Sequence, residues 1–169
     1  MKRLYLIRHA KSDWHSPSTD DHERPLNKRG VRAAKLMGRF LTSLGQEPDA
    51  VVSSSAVRAR TTVELMSEAG GWTCPVRVTR AFYESRPETV LQEVSSESDT
   101  YESLLVAGHE PTWSALVRGL SGGQVKMVTA GLVRIDFDVA SWSGVEAGRG
   151  LMVWFVPPKV IVAAGWETD

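Results

Sequence analysis

Short apolar runs alternate with longer amphipathic stretches along the chain. Leu4-Tyr5-Leu6-Ile7 is continuously apolar, as expected of a strand buried on both faces of a mainly parallel sheet. Residues 12–26, with Pro17, Asp20, Asp21 and Pro25, are polar and turn-rich and read as a loop above the end of that strand. Asn27 offers an N-cap to a helix whose apolar positions Val31, Ala34, Leu36, Met37, Phe40, Leu41 and Leu44 follow helical spacing up to a stop at Gly45. A second strand over 49–53 and a second helix over 57–69, closed by Gly70-Gly71, follow. The alternation continues with a strand at 75–79, a helix at 87–94, a strand at 103–107 and a helix from Pro111 or Thr112 to about Leu120. After a loop at Ser121-Gly122-Gly123, residues 131–138 and 151–156 alternate as strands. This order predicts an α/β fold, a three-layer α/β/α sandwich around a mostly parallel central sheet. The tail, 157–169, carries Val160-Ile161-Val162 and Trp166 and is expected to pack on the body or on a partner.

Composition narrows this picture. A chain of 169 residues can bury one sizeable core, so residues 1–169 are read as a single domain. Lysine plus arginine and aspartate plus glutamate balance at 20 each, which gives no global basic field for nucleic acid and makes any anion site a local one. The lone Cys74 excludes an intramolecular disulfide and a thiolate zinc site. The apolar run behind Met1-Lys2-Arg3 is too short for a signal-peptide core, and no run approaches a membrane span. A cytoplasmic protein without membrane contact is the expectation.

Candidate chemistry gathers at strand ends. Arg8 and His9 stand directly after the first strand, where ligands bind in open α/β sheets. Arginine presents a planar fork of donors that fits phosphate oxygens, and neutral histidine is a nitrogen nucleophile near pH 7. His109 ends another strand, and Arg58 falls in the first turn of the helix after the 49–53 strand, where backbone amides add anion donors. A phosphoryl group in transfer spreads negative charge over its equatorial oxygens, so it needs fixed cationic donors and an in-line nucleophile. Arg8, Arg58 and His109 supply the first and His9 the second. Lys11 and Ser12 are near enough in sequence to reach a phosphate or its carrier. Ser54 is read as a cap for the following helix, and Trp14 as rim or core packing beside the site. His15, His22, Asp20 and Asp21 lack metal-ligand spacing and read as a solvated loop, so no metal and no cofactor is expected.

These motifs together resemble the histidine phosphatase superfamily, which includes cofactor-dependent phosphoglycerate mutases and acid phosphatases. Leu6-Ile7-Arg8-His9-Ala10 resembles its N-terminal Arg-His-Gly signature, and the run from Arg24 to Gly30 its Leu-Thr-x-x-Gly helix start. Residues 54–62 resemble its second-arginine motif, and Val106-Ala107-Gly108-His109-Glu110-Pro111 its second-histidine motif. Ala10 replaces the common glycine, and Thr61 stands where glutamine or glutamate is frequent. Within the superfamily, Arg8-His9-Ala10-Lys11-Ser12 and the short chain are most similar to the SixA-type phosphohistidine phosphatases.

The resemblance implies a phosphoglycerate mutase-like fold and attack by His9 on phosphorus, with Arg8, Arg58 and His109 as the phosphate pocket. It also implies a proton donor at Glu84, within Phe82-Tyr83-Glu84, although a P–N bond needs such an acid less than an ester does. Only 50 residues lie between Arg58 and His109, too few for the large lid insertion of relatives that act on small molecules. The substrate so implied is a phosphorylated protein, such as a histidine phosphotransfer domain. Small phosphate esters or nucleotides are the alternative within the same chemistry, a catalytically idle phosphate-binding module is the alternative of another class, and mutase activity is disfavoured by the missing lid.

Overall fold

The computed structural model describes residues 1–17 and 20–167, so two residues of the 12–26 loop and the last two of the tail lie outside the described residues. The elements are β1 (Lys2–Arg8), α1 (Lys28–Ser43), β2 (Ala50–Ser54), α2 (Val57–Gly70), β3 (Val76–Thr79), α3 (Pro87–Ser95) and β4 (Ser103–Gly108). They continue with α4 (Thr112–Ser121), β5 (Leu132–Phe137), β6 (Leu151–Val156) and α5 (Pro158–Ala163). One six-stranded sheet runs in the order β3-β2-β4-β1-β5-β6. β1, β2, β3 and β4 pair in parallel, whereas β5 is antiparallel to both of its neighbours.

Alternation along the strands divides the core into two layers. Leu4, Leu6, Val52, Leu104 and Val106 face the side covered by Val90 and Val94 of α3 and Trp113 and Leu116 of α4. Tyr5, Ile7, Val51, Leu105 and Ala107 face Leu36, Met37 and Leu41 of α1 and Val63 and Met66 of α2. The middle stretches of the central strands, Leu4 to Ile7, Ala50 to Val52 and Leu104 to Ala107, are continuously apolar because both faces are covered. The arrangement is the expected three-layer α/β/α sandwich, without a large insertion.

Two expectations need adjustment. β1 begins two residues earlier than the apolar run, at Lys2, whose side chain is buried; its ammonium donates to the Asp99 and Tyr101 carbonyls at 2.7 and 2.8 Å. Satisfied in this way, a charged residue can enter a buried strand. The tail forms α5, of which Ile161 is buried and Trp166 meets the Phe40 ring at 6.0 Å, but Val160 and Val162 stay 51% and 44% exposed. A one-turn helix can turn only one face to the core, so a run of three apolar residues cannot all be buried. Among the described residues, no helix is long and apolar enough to cross a membrane.

Register places the strand ends. Arg8 pairs with Gly108 across β1 and β4, so His9 and His109, each the next residue, emerge side by side at the same sheet edge. Ser53 pairs with Ala107 across β2 and β4, which brings Ser54 beside that edge as well. Gly108 has a packing reason: a Cβ there would lie 2.1 Å from the ring of Trp113, which is fully buried beneath it.

Candidate active site

At the carboxyl edge of β1 and β4 lies a cleft of about 300 Å³. Arg8, His9, Arg58 and His109 all line it, so the four residues that sequence spacing singles out do converge. His9, Arg58 and His109 are buried to within 6%, 5% and 9% exposure. The two imidazoles lie 5.2 Å apart between ring centroids.

Both nitrogens of His9 are constrained. Nδ1 lies 2.8 Å from the Ala10 carbonyl oxygen, which can only accept, so the ring proton sits on Nδ1. Nε2 then keeps its lone pair, and Arg58 Nε donates to it at 3.4 Å. Burial, with His109, Arg58 and Arg8 nearby, pushes the His9 pKa down to about 3, against a weaker opposing effect of the Ala10 carbonyl. The imidazole is neutral at pH 7, and its unprotonated nitrogen lies beside the Arg58 guanidinium in a cationic cleft.

His109 is held by Ser54, whose Oγ lies 2.7 Å from Nε2. Burial, then the Arg58 charge, lowers its pKa to about 4. The sequence reading of Ser54 as a helix cap needs correcting. Ala56 is the cap residue of α2 and has no side-chain cap bond, while Ser54 Oγ bridges His109 and, at 3.4 Å, the Ala56 amide. Parallel pairing of β2 with β4 makes Ser54 a neighbour of His109, a relation invisible in a linear sequence.

Arg8 donates through Nη1 to the Met127 carbonyl at 2.9 Å. Arg58 is anchored by Asp21, with Nη1 on its carbonyl at 2.6 Å and Nη2 on Oδ2 at 3.0 Å. The same carboxylate takes Arg24 Nη2 at 2.7 Å and the Tyr83 hydroxyl at 3.0 Å. These donors outweigh partial burial and hold the Asp21 pKa down to about 2. Arg24 also donates to Ser12 Oγ and stacks its guanidinium 3.7 Å from the Trp14 ring centroid. Arg8 Nε, Arg24 Nε and His109 Nδ1 are buried with no hydrogen-bond partner among the described residues. A buried polar nitrogen without a partner is costly, and all three belong to residues that line the cleft.

Lys11 and Ser12 line the cleft as expected, Lys11 exposed and Ser12 buried. Glu84 does not: it is exposed, has left-handed backbone (φ 50°) and is absent from the cleft wall. Tyr83 holds the site side of that segment instead, 5.7 Å from the His109 ring and bonded to Asp21. The carboxylate that does line the cleft is Glu110, which accepts from the Ser114 amide at 2.9 Å and hydroxyl at 2.6 Å. Sequence reasoning missed Arg24, Asp21, Thr129 and Glu110, although Arg24 and Glu110 lay inside motifs already quoted. Trp14 is a rim residue, 76% exposed.

Comparison with known proteins bears on family and fold. The profile of the histidine phosphatase superfamily (branch 1) matches residues 4–86. A candidate phosphohistidine phosphatase SixA from Agrobacterium tumefaciens superposes with a TM-score of 0.80 at 26% identity, over 93% of this chain and 98% of that one. The chain belongs to the histidine phosphatase superfamily. The chain is also 35% identical to the uncharacterized protein Rv1276c of Mycobacterium tuberculosis, over 90% of this chain and 100% of that protein. A candidate alpha-ribazole-5'-P phosphatase from Escherichia coli shares the fold at a TM-score of 0.68 and 18% identity, over 94% of this chain and 98% of that one.

Proposed function

We propose that the protein removes phosphate from histidine on another protein through a covalent phosphohistidine on His9. The observation that carries this reading is the tautomer of His9, with the proton held on Nδ1 by the Ala10 carbonyl and Nε2 unprotonated, its lone pair meeting only a long 3.4 Å contact from Arg58 Nε. Nε2 attacks the phosphorus of a phosphohistidine whose other ring nitrogen carries a proton, a P–N bond forms, and the P–N bond to the substrate breaks with its electron pair staying on that imidazole, which leaves neutral. Water then attacks the phosphoenzyme, giving inorganic phosphate and neutral His9. Arg8, Arg24 and Arg58, with His109, offset the charge on the equatorial oxygens, so the chain's own cations serve and no metal enters the scheme.

A protein substrate fits the shape of the site. The segment between Arg58 and His109 is taken up by the rest of α2 and by β3, α3 and β4, so that segment adds no lid insertion to the cleft. An exposed phosphohistidine can enter, whereas a small ester would gain little enclosure. The greater likeness to a SixA structure than to the ribazole phosphatase supports the same choice. Glu84, absent from the cleft wall, has no part in this scheme: a phosphohistidine protonated on its ring releases neutral imidazole, a far better leaving group than an alkoxide.

Brief exposure to a phosphohistidine peptide should leave acid-labile phosphate on His9, mapped by mass spectrometry, and His9→Ala should lose both adduct and turnover. A His9→Ala protein that still turns over with an adduct would overturn the scheme. Faster turnover of a panel of small esters than of phosphohistidine protein would shift the reading to a phosphomonoesterase, and stoichiometric binding without phosphate release to a binding module.

A further inference from the structure

A second groove, of about 240 Å³, opens beside the phosphate cleft. Lys11 and Thr129 line both, so the two are adjacent and share a wall. Its cations come from three places in the fold: Lys11 from the segment after β1, Arg29 from the first turn of α1 and Lys159 from the first turn of α5. All three are exposed, and none is ion-paired among the described residues. In a chain whose 20 basic and 20 acidic residues balance, this is a local excess of positive charge in a concavity.

The placement also works against the local electrostatics of the fold. The first turn of α1 has no acidic residue and carries Lys28 and Arg29 at its positive end, where the helix dipole disfavours cations. Local rules broken without compensation mark functional surfaces more often than structural ones. Pro157 and Pro158, whose φ angles are fixed, also line the groove and stiffen the backbone beside Lys159.

We propose that this groove binds acidic side chains beside the phosphorylated histidine of the protein substrate, and so selects carriers with a negative surface around the phosphorylated residue. The inference rests on the reading of the protein as a phosphohistidine phosphatase. Cations set on three separate elements around an open groove suit carboxylates spread along a polypeptide better than one tetrahedral group. Thr129 and Lys11 mark the crossing point, with phosphate on one side and the flanking carboxylates on the other.

The test compares two phosphohistidine peptides, one with glutamates flanking the phosphorylated residue and one with glutamines, alongside phosphoramidate as a small substrate. Wild type should favour the acidic peptide roughly three- to tenfold in kcat/KM, through KM, with the preference fading as salt rises. R29E/K159E should abolish or invert the preference and leave phosphoramidate turnover unchanged, and R29Q/K159Q serves the same purpose with a milder change. No preference in wild type, or an undiminished preference in both variants, overturns the groove. Failure of wild type on every phosphohistidine substrate overturns the functional reading instead. The groove is then decided by titrating an unphosphorylated glutamate peptide and following the backbone amides of Arg29, Ala33 and Lys159 by NMR. Shifts in wild type that vanish in R29E/K159E uphold it, and unmoved amides overturn it.

Discussion

The imidazole of His9 is bound at one nitrogen by a carbonyl that can only accept and at the other by a guanidinium that can only donate. The carbonyl alone would accept equally from the imidazolium; the guanidinium at the other nitrogen requires a lone pair there, so the ring is neutral and protonated at Nδ1. Glu84 poses the opposite case, a residue in the expected sequence position but outside the cleft wall. Glu84→Gln should therefore change phosphohistidine turnover by less than about threefold, whereas loss of a true general acid costs on the order of a hundredfold or more. Steady-state kinetics on a phosphohistidine peptide would decide, and a hundredfold drop would return Glu84 to the machinery.

Elements deliver these side chains through register and close approach. β1 and β4 pair Arg8 with Gly108, so two histidines a hundred residues apart leave the sheet as neighbours. The segment after β1 is then pinned by the start of α1. Asn27 caps the helix by accepting from the Gly30 amide at 2.9 Å, and a Cβ at Gly30 would stand 2.1 Å from the Lys11 carbonyl oxygen. Backbone on both sides leaves no flexible side chain to yield. Gly30→Ala should destabilise the fold by about 1–3 kcal/mol and shift Lys11 and Ser12. Urea denaturation should show the loss, and kcat/KM should fall for protein and small substrates alike. Unchanged stability would mean that the approach is relieved at little cost.

Across the whole molecule, the site is bought with stability at acid pH. His9 and His109 have pKa values lowered by burial to about 3 and about 4, from 6.5. Below pH 6.5 the unfolded chain binds protons there that the folded chain refuses, so stability falls as pH drops from that value toward the folded ones. The loss between pH 7 and pH 5 should be roughly 2 kcal/mol per imidazole. Asp21, lowered from 3.8 to about 2, gives up its contribution only at more acidic pH and leaves this window to the histidines. Replacing both histidines by glutamine should flatten the dependence in denaturant melts at pH 7 and 5, and an equally steep variant would place its origin elsewhere. The sequence by itself determined the alternation of strands and helices and the placing of Arg8, His9, Arg58 and His109 at element ends, because burial periodicity and end signals are local. Only the tertiary structure decided that Ser54 holds His109, that Asp21 ties Arg24, Arg58 and Tyr83 together, and that Glu84 stays outside. Those relations arise from strand order, register and loop packing, which join residues that no spacing along the chain connects.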